Sequence, residues 1–502
     1  MTRTEVGRTH FLRLFVAAAC SLALLAGCGR EEASPPPFPN ILLIFADDMG
    51  WNDLGAAGNA AIRTPNLDRL ANEGALFEHA YTVTSSCSAS RGALLTGRYP
   101  HSNGLISLME WHKPPFRGLF PMRATRTLRH SMRRSETLMS QLFHELGYQT
   151  AIIGKWHVSV EAPTRWGFDA KLRFSDRAYG GLRPPFFLYF NPTHTHQPFR
   201  SSLDFPYDPA SVVLPPYFVE NAELRSDLAN YYSAVSNMDH EIGQLLDWLD
   251  ASGQAEDTIV VFASDNGPPY ARAKATLYEW GVRTPLLIRY PRRIRAGTRV
   301  PALVSTLDIL PTLLELLGRP IPERLQGTSL LPLIDDPLQP GRDAVYLESN
   351  YHVFYNPGRA VRSGHWKYIR NFDRRAPFYT ARESLGLTLL RHPLDLPPRP
   401  AEELYDLEED PLEGTNLAGD PAYARDLHRM RTLLSDWMQA THDDPLAEQA
   451  RERPPAKDPW PGGWFGPERS PAPNIRRGRF ASEVEQARAR GRAPVDGRSP
   501  SR

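Results

Sequence analysis

Four stretches of the chain are apolar without interruption: "ILLIFA" (41–46), "TAIIG" (150–154), "FFLYF" (186–190) and "TIVVFAS" (258–264). A strand with one face in water alternates apolar and polar residues. A continuous run of this length is what a strand covered on both faces shows. Helical patterns separate the runs, at Thr64 to Ala71, Ser135 to Leu146 and Leu224 to Leu249, and in the second of these Leu138, Leu142 and Leu146 fall on one face. Strands of this kind alternating with helices predict an α/β domain, a parallel sheet with helices on its faces. The composition, 41% hydrophobic and 23% charged over 502 residues, supplies a sizeable core and length for two domains.

Each run ends in polar residues of a particular kind. The first gives Asp47-Asp48, the second Lys155-Trp156-His157, the third His194 and His196, and the fourth Asp265-Asn266-Gly267. In an open parallel sheet the carboxyl ends line one edge, where ligands bind. If the four strands share a sheet, three Asp, one Asn, one Lys and one or two His converge there. Taken singly, these residues also serve as helix caps and turn formers. Three carboxylates brought together repel, and either one takes up a proton or a cation sits among them. Hard oxygen donors suit Ca²⁺ first and Mg²⁺ second, ahead of Zn²⁺.

The first residues carry Arg3, Arg8 and Arg13 ahead of an apolar run from Leu14 to Gly27. That run is shorter than the roughly 20 residues that span a bilayer and suits a signal-peptide core. Leu25-Ala26-Gly27-Cys28 resembles a bacterial lipobox, so cleavage before Cys28 and its lipidation are expected, with an ordinary cleaved signal as the alternative. The expected product is an exported domain tethered to a bacterial membrane, periplasmic or at the cell surface, held firmly by several acyl chains. Of three cysteines, Cys20 leaves with the signal and Cys28 carries lipid, so Cys87 has no partner for a disulfide. Its thiol is either buried and inert or reactive. Cys87 opens a helical pattern, "SASRGALLTG", and a helix N-terminus lowers a thiol's pKa and welcomes an anion that Arg91, one turn along, could also reach.

Lysine plus arginine (58) balances aspartate plus glutamate (57), so no nucleic-acid partner is implied. Locally, Lys113, Arg117, Arg123, Arg126, Arg129, Arg133 and Arg134 crowd one stretch, either a solvated insertion or a rim that attracts an acidic substrate. The expected organisation is a signal peptide at 1–27, a proline-rich linker at 28–39, a catalytic domain at 40–335, an α+β subdomain at 336–450 and a Pro/Arg-rich tail at 451–502. The subdomain reading rests on "AVYLESN", "HWKYIRN", "ELYDLEEDPLEGTNLA" and a helix from about Ala422 to Ala440.

"CSASRGALLTGR" resembles the type I sulfatase signature Cys-X-Pro/Ala-X-Arg, in which the cysteine is oxidised to formylglycine. "ADDMG", "GKWH", "HTHQPF", "SDNG" and "KATLYEWGVRTPL" extend the resemblance from about Asn40 to Asp443. "SSCSASR", "VLPPYFVENAELRSDLANYYSAVSNMD" and "WMQATHDDP" make it most similar to the heparan N-sulfatases, or sulfamidases. The resemblance implies an alkaline-phosphatase-like mixed, mostly parallel sheet sandwiched by helices, with a smaller C-terminal α+β domain. It implies a hydrolase that takes sulfate from a sulfated saccharide, with N-sulfoglucosamine of heparin or heparan sulfate favoured. An O-sulfatase on another glycan or small ester is the alternative. A phosphoryl-transfer hydrolase of the same fold and a non-catalytic glycan-binding lipoprotein rank below both. It also implies a partner enzyme, formylglycine-generating or radical, that matures Cys87.

By the same resemblance, Asp47, Asp48, Asp265 and Asn266 hold Ca²⁺ against the formylglycine made from Cys87, steadied by Arg91 and Lys155. His157 is the expected base. His196 and Lys274 bind sulfate and protonate the leaving group, and Arg359 and His352, with Glu348, reach the sugar from the subdomain. His194 is a neighbour of this set. Two departures stand out: Ala89 replaces the commoner proline, and Lys274 stands where sulfamidases carry arginine and O-sulfatases lysine.

Overall fold

In the computed structural model of the chain, the described residues are 38–109, 132–199, 204–215, 218, 222–352, 355–373 and 399–446. The signal and lipobox, most of the arginine-rich stretch and the C-terminal tail lie outside them. Those up to Asp443 belong to one compact unit.

Eight strands make the large sheet: β1 (Asn40–Ala46), β2 (Ala75–Tyr81), β3 (Gln149–Gly154), β4 (Ala170–Leu172), β5 (Phe186–Asn191), β6 (Thr258–Ser264), β7 (Leu286–Arg289) and β8 (Thr298–Ser305). Their order is β4-β3-β5-β1-β6-β7-β2-β8, with only β7 antiparallel to its neighbours. The four apolar runs are therefore contiguous in the middle, as β3-β5-β1-β6. Every residue of β1 and β6 is buried, the pattern that requires cover on both faces.

One face packs on helices α1 (Pro65–Glu73) and α4 (Ala222–Ala251); the other packs on α2 (Cys87–Thr96), α3 (Met139–Glu145) and α5 (Ile309–Leu316). The expected helix at 135–146 begins four residues later. Leu138 is still extended at its N-cap; Met139, Ser140 and Phe143 are the buried residues of the helix, and Leu138, Leu142 and Leu146 pack against the same core.

A second, antiparallel sheet has the order β12-β11-β10-β9, from β9 (Val345–Tyr351), β10 (Tyr355–Ser363), β11 (Trp366–Asn371) and β12 (Glu402–Asp406). Helix α6 (Ala424–Ala440) covers one face, Leu427, Met430, Leu434 and Trp437 meeting Val361, Trp366, Tyr368 and Leu404. The other face meets Tyr81 and Val282 of the large-sheet region. Register decides where the polar residues go. Ala46 lies opposite Ser264 in the parallel β1–β6 pair, so Asp47 and Asp265 leave adjacent strands side by side. Such strands lie about 4.8 Å apart.

Candidate active site

The site forms where β1, β3, β5 and β6 end, with Cys87 brought in by the β2–α2 connection. Ligand atoms of Asp47, Asp48, Cys87 and Asp265 all lie within 4.8 Å of one another, and all four residues are buried. Around them stand three cations. Lys155 Nζ donates to Asp47 Oδ1 and Oδ2 at 2.9 and 2.8 Å. Arg91 Nη2 is 2.7 Å from Asp265 Oδ2 and 3.5 Å from Asp47 Oδ1. Lys274 Nζ donates to Asp48 Oδ2 at 2.9 Å, so it is a buried partner of the cluster and not a surface lysine.

The loops that carry these side chains are fixed by backbone constraints. Gly154 closes β3 at φ 86°, and a Cβ there would stand 2.0 Å from the Asn191 carbonyl oxygen. Only glycine permits that approach, and it delivers Lys155. Asp48 and His157 both hold φ 53°, a left-handed conformation that a non-glycine residue keeps only when its surroundings impose it. At Asp48 those surroundings are explicit: its N–H donates to Asp265 Oδ1 at 3.1 Å, and Tyr231 of α4 hydrogen-bonds its carbonyl at 3.0 Å. Thr195 Oγ1 holds the Asp47 carbonyl.

The electrostatics are uneven. Burial pushes Asp47 up, but Lys155, Arg91, His196 and Lys274 outweigh it and hold the carboxyl well below its usual range. Burial, then Asp47 and Asp48, push Asp265 up to about 7 against the opposing pull of Arg91 and Lys155. One of the three carboxyls therefore resists ionisation near neutrality, the state a cation among them relieves. The donor set fits a hard ion. Besides the carboxylates it offers Asn266 Oδ1, buried with no hydrogen-bond partner among the described residues while the Nδ2 end donates to Asp48 Oδ1 at 2.8 Å.

Cys87 is a free, buried cysteine. It does open α2, with Ser86 as an extended N-cap. Burial nevertheless pushes its thiol well above the ordinary value, and Asp265 and Asp48 add to this against Lys155 and Lys274. Its Sγ lies 4.0 Å from Asp48 Oδ1. Loss of hydration and two carboxylates outweigh the helix terminus, so a thiolate nucleophile is not what this pocket stabilises.

The other sequence-predicted residues divide. His157 is buried one residue beyond Trp156 on the loop that carries Lys155. His196 Nδ1 pairs with the Gln197 carbonyl at 2.7 Å, and its charge acts on Asp47. His194 Nε2 is 3.4 Å from Glu241, toward α4. His352 is buried just after β9, next to Tyr351, whose carbonyl accepts from Ser86 Oγ at 3.3 Å.

Arg359 lies in a separate cluster. Its guanidinium donates to both oxygens of Asp443, to the Ser349 and Gly358 carbonyls and to Asn350 Oδ1. Those five bonds take all five of its N–H donors, leaving none for a sugar hydroxyl. Asn191, the last residue of β5, escaped notice in the sequence. Its Oδ1 accepts from Arg91 Nη1 at 2.6 Å, and the signal was present, since it follows an apolar run as the other site residues do.

Comparison with known proteins places these features in company. The family profile "Sulfatase" matches residues 39–179 and 176–319, and the profile "N-sulphoglucosamine sulphohydrolase, C-terminal" matches 272–380. The chain is 32% identical to N-sulphoglucosamine sulphohydrolase of Homo sapiens, over 85% of this chain and 94% of that protein. It is 28% identical to an ulvan-active sulfatase of Formosa agariphila, over 86% and 82%. Among solved structures, one "in complex with its substrate D-Glucosamine-2-N, 6-O-disulfate" shares the fold with a TM-score of 0.61 at 21% identity, covering 81% of this chain and 99% of that one.

Proposed function

The chain belongs to the sulfatase family, and we propose that it removes N-linked sulfate from N-sulfoglucosamine of heparin or heparan sulfate fragments, using a formylglycine made from Cys87 and a bound Ca²⁺. It is a hydrolase acting on sulfated glycans. The observation that carries the reading is the convergence of Asp47, Asp48, Asp265 and Cys87 within 4.8 Å at the carboxyl edge of the sheet. The N-sulfate preference draws on the match to the N-sulphoglucosamine sulphohydrolase C-terminal profile and on the human relative.

Asp47, Asp48, Asp265 and the Asn266 oxygen would hold the cation. When bound, it supplies a positive centre that acidifies a hydroxyl at position 87 and offsets charge on the sulfuryl group. Oxidised and hydrated, position 87 offers one oxygen for attack at sulfur and a second hydroxyl whose deprotonation expels sulfate and restores the aldehyde. A raised thiol pKa agrees with a cysteine kept as a precursor and not as the nucleophile. Lys155 keeps Asp47 ionised and fixed in direction, and Arg91 fixes the direction of Asp265. His157 takes the proton of that second hydroxyl. His196 and Lys274 would bind the sulfate group and protonate the leaving nitrogen. With a divalent ion bound and all three carboxylates ionised, the three cations balance them and the ion adds two positive charges, which suits an anionic substrate.

The competing reading is an O-sulfatase, and Lys274 in place of the sulfamidase arginine favours it. Sulfate release from N-sulfoglucosamine and from 6-O-sulfated glucosamine separates the two: release from the N-sulfate is expected, and release from the O-sulfate alone overturns the assignment. For the ion, chelation should abolish turnover and Ca²⁺ should restore it, whereas restoration by Zn²⁺ only contradicts the donor-set argument. The sequence of the first 28 residues further supports export and lipidation at Cys28. Labelled palmitate should enter the wild type and not Cys28→Ser, and equal labelling of both would remove the anchor.

A further inference from the structure

A buried network outside the carboxylate cluster joins three segments that are distant in sequence: the chain after α2, the paired strands β9 and β10, and the chain beyond α6. His101, in the short helix Pro100–Asn103 that follows α2, donates its backbone N–H to Glu348 Oε1 at 2.9 Å and pairs its ring Nδ1 with Glu348 Oε2. Asn350 Nδ2 donates to the same Glu348 Oε1 at 2.9 Å and accepts at Oδ1 from Arg359 Nη2 at 3.1 Å. Arg359, on β10, is in turn clamped by Asp443 beyond α6. The His101 ring lies flat against Tyr99, centroids 5.7 Å apart, and edge-on to Trp437 at 5.6 Å. The His101 ring and the Arg359 guanidinium thus face two carboxylates with little access to water, an arrangement in which loss of one partner is costly.

This network sits directly behind the segment that presents Cys87. Glu348 donates its backbone N–H to the Val83 carbonyl at 2.8 Å, and Tyr351 donates to the Ile106 carbonyl at 3.1 Å. At the end of the same strand the Tyr351 carbonyl accepts from Ser86 Oγ, the residue before Cys87. β9 is therefore bonded along its length to the chain on both sides of α2. Position 87 must lie within a few tenths of an ångström of its working place, and a shift of about 1 Å can cost ~10²-fold in rate.

We infer that His101, Glu348, Arg359 and Asp443 form a clasp that holds β9 against residues 83–86 and so sets the position of residue 87 relative to the carboxylate cluster. They are positioning residues, acting through β9. The kinetic part of this rests on the sulfatase reading; the structural part does not.

Glu348→Gln and Asp443→Asn keep size and remove charge. Hydrogen exchange of the amides of residues 83–90 should rise in both, while β1 and β6 stay protected. Turnover, normalised to the fraction of position 87 that is converted, should fall ~10–100-fold with KM within about twofold. Ser86→Ala, which removes only the bond to Tyr351, should reproduce the exchange increase at smaller amplitude. It remains informative if the charge variants fail to fold. Exchange that rises evenly along the chain, exchange at 83–90 that does not change, or a raised KM at unchanged turnover would each overturn the clasp. Because exchange is read without substrate, a protein inactive on every sulfated sugar would sink the functional reading and leave this test standing.

Discussion

Asp48 and His157 carry the plainest mark of the site at the level of single residues, a left-handed backbone at a non-glycine position. Such a conformation costs roughly 1–3 kcal/mol and persists only where other contacts impose it. No sequence pattern announces it. What the sequence did disclose is which residues follow the apolar runs, and Asp47, Asp48, Lys155, Asp265 and Asn266 all arrive where that rule places them. Lys274 was legible only through its motif, because its burial depends on Asp48, far away in the chain. For the thiol at 87 the sequence left a buried, inert side chain and a reactive one both open: an N-terminal turn was visible, but the two carboxylates and the loss of hydration were not. His157→Ala should lower turnover by ~10²–10⁴-fold while leaving thermal unfolding close to wild type. Steady-state kinetics beside calorimetry checks this, and wild-type turnover in the variant would remove His157 from the chemistry.

Among elements, the central strands were readable because burial on both faces leaves no polar position to confuse the pattern. β2 and β8 were not. β2 carries half-buried Glu78 and His79, and β8, at the edge of the sheet, alternates and contains Pro301, as edge strands do. Helix α3 starts late because Leu138 is spent as an extended N-cap, which a periodicity count cannot show. Gly154→Ala tests how tightly β3 and β5 meet. With the Asn191 carbonyl in the way, it should destabilise the fold by more than ~1 kcal/mol and lower the melting temperature, and an unchanged melting temperature would mean the strands can part freely.

The clasp adds a pH dependence of its own. Burial would lower the His101 pKa, but Glu348 and Asp443 overcome burial and the opposing Arg359 charge, so the net shift is upward. A raised folded value means that this stabilisation is complete below the unfolded histidine value, about 6.5, and is lost as pH rises through the folded one. The melting-temperature gap between wild type and His101→Gln should therefore be widest below about pH 6.5 and shrink as pH rises above it. A gap that widens over that range contradicts the assignment.

At the scale of the molecule, near-zero net charge concealed a sharp local arrangement, three carboxylates and three cations gathered at one sheet edge, all of them buried but the partly exposed Lys155. The sequence carried the fold class and the small second sheet, since periods of burial are written residue by residue. It could not carry the strand order β6-β7-β2-β8, the reversal of β7 or the seating of β9 behind Cys87. Those follow from pairings between segments with no common local pattern. Position 87 is where these long-range pairings and the proposed chemistry meet. Mass spectrometry of the tryptic peptide Leu70–Arg91, from active protein made in its native host, reads its state directly. Formylglycine there makes the peptide about 18 Da lighter than the thiol form. That lighter peptide is the predicted result, and an intact thiol in fully active protein would contradict it.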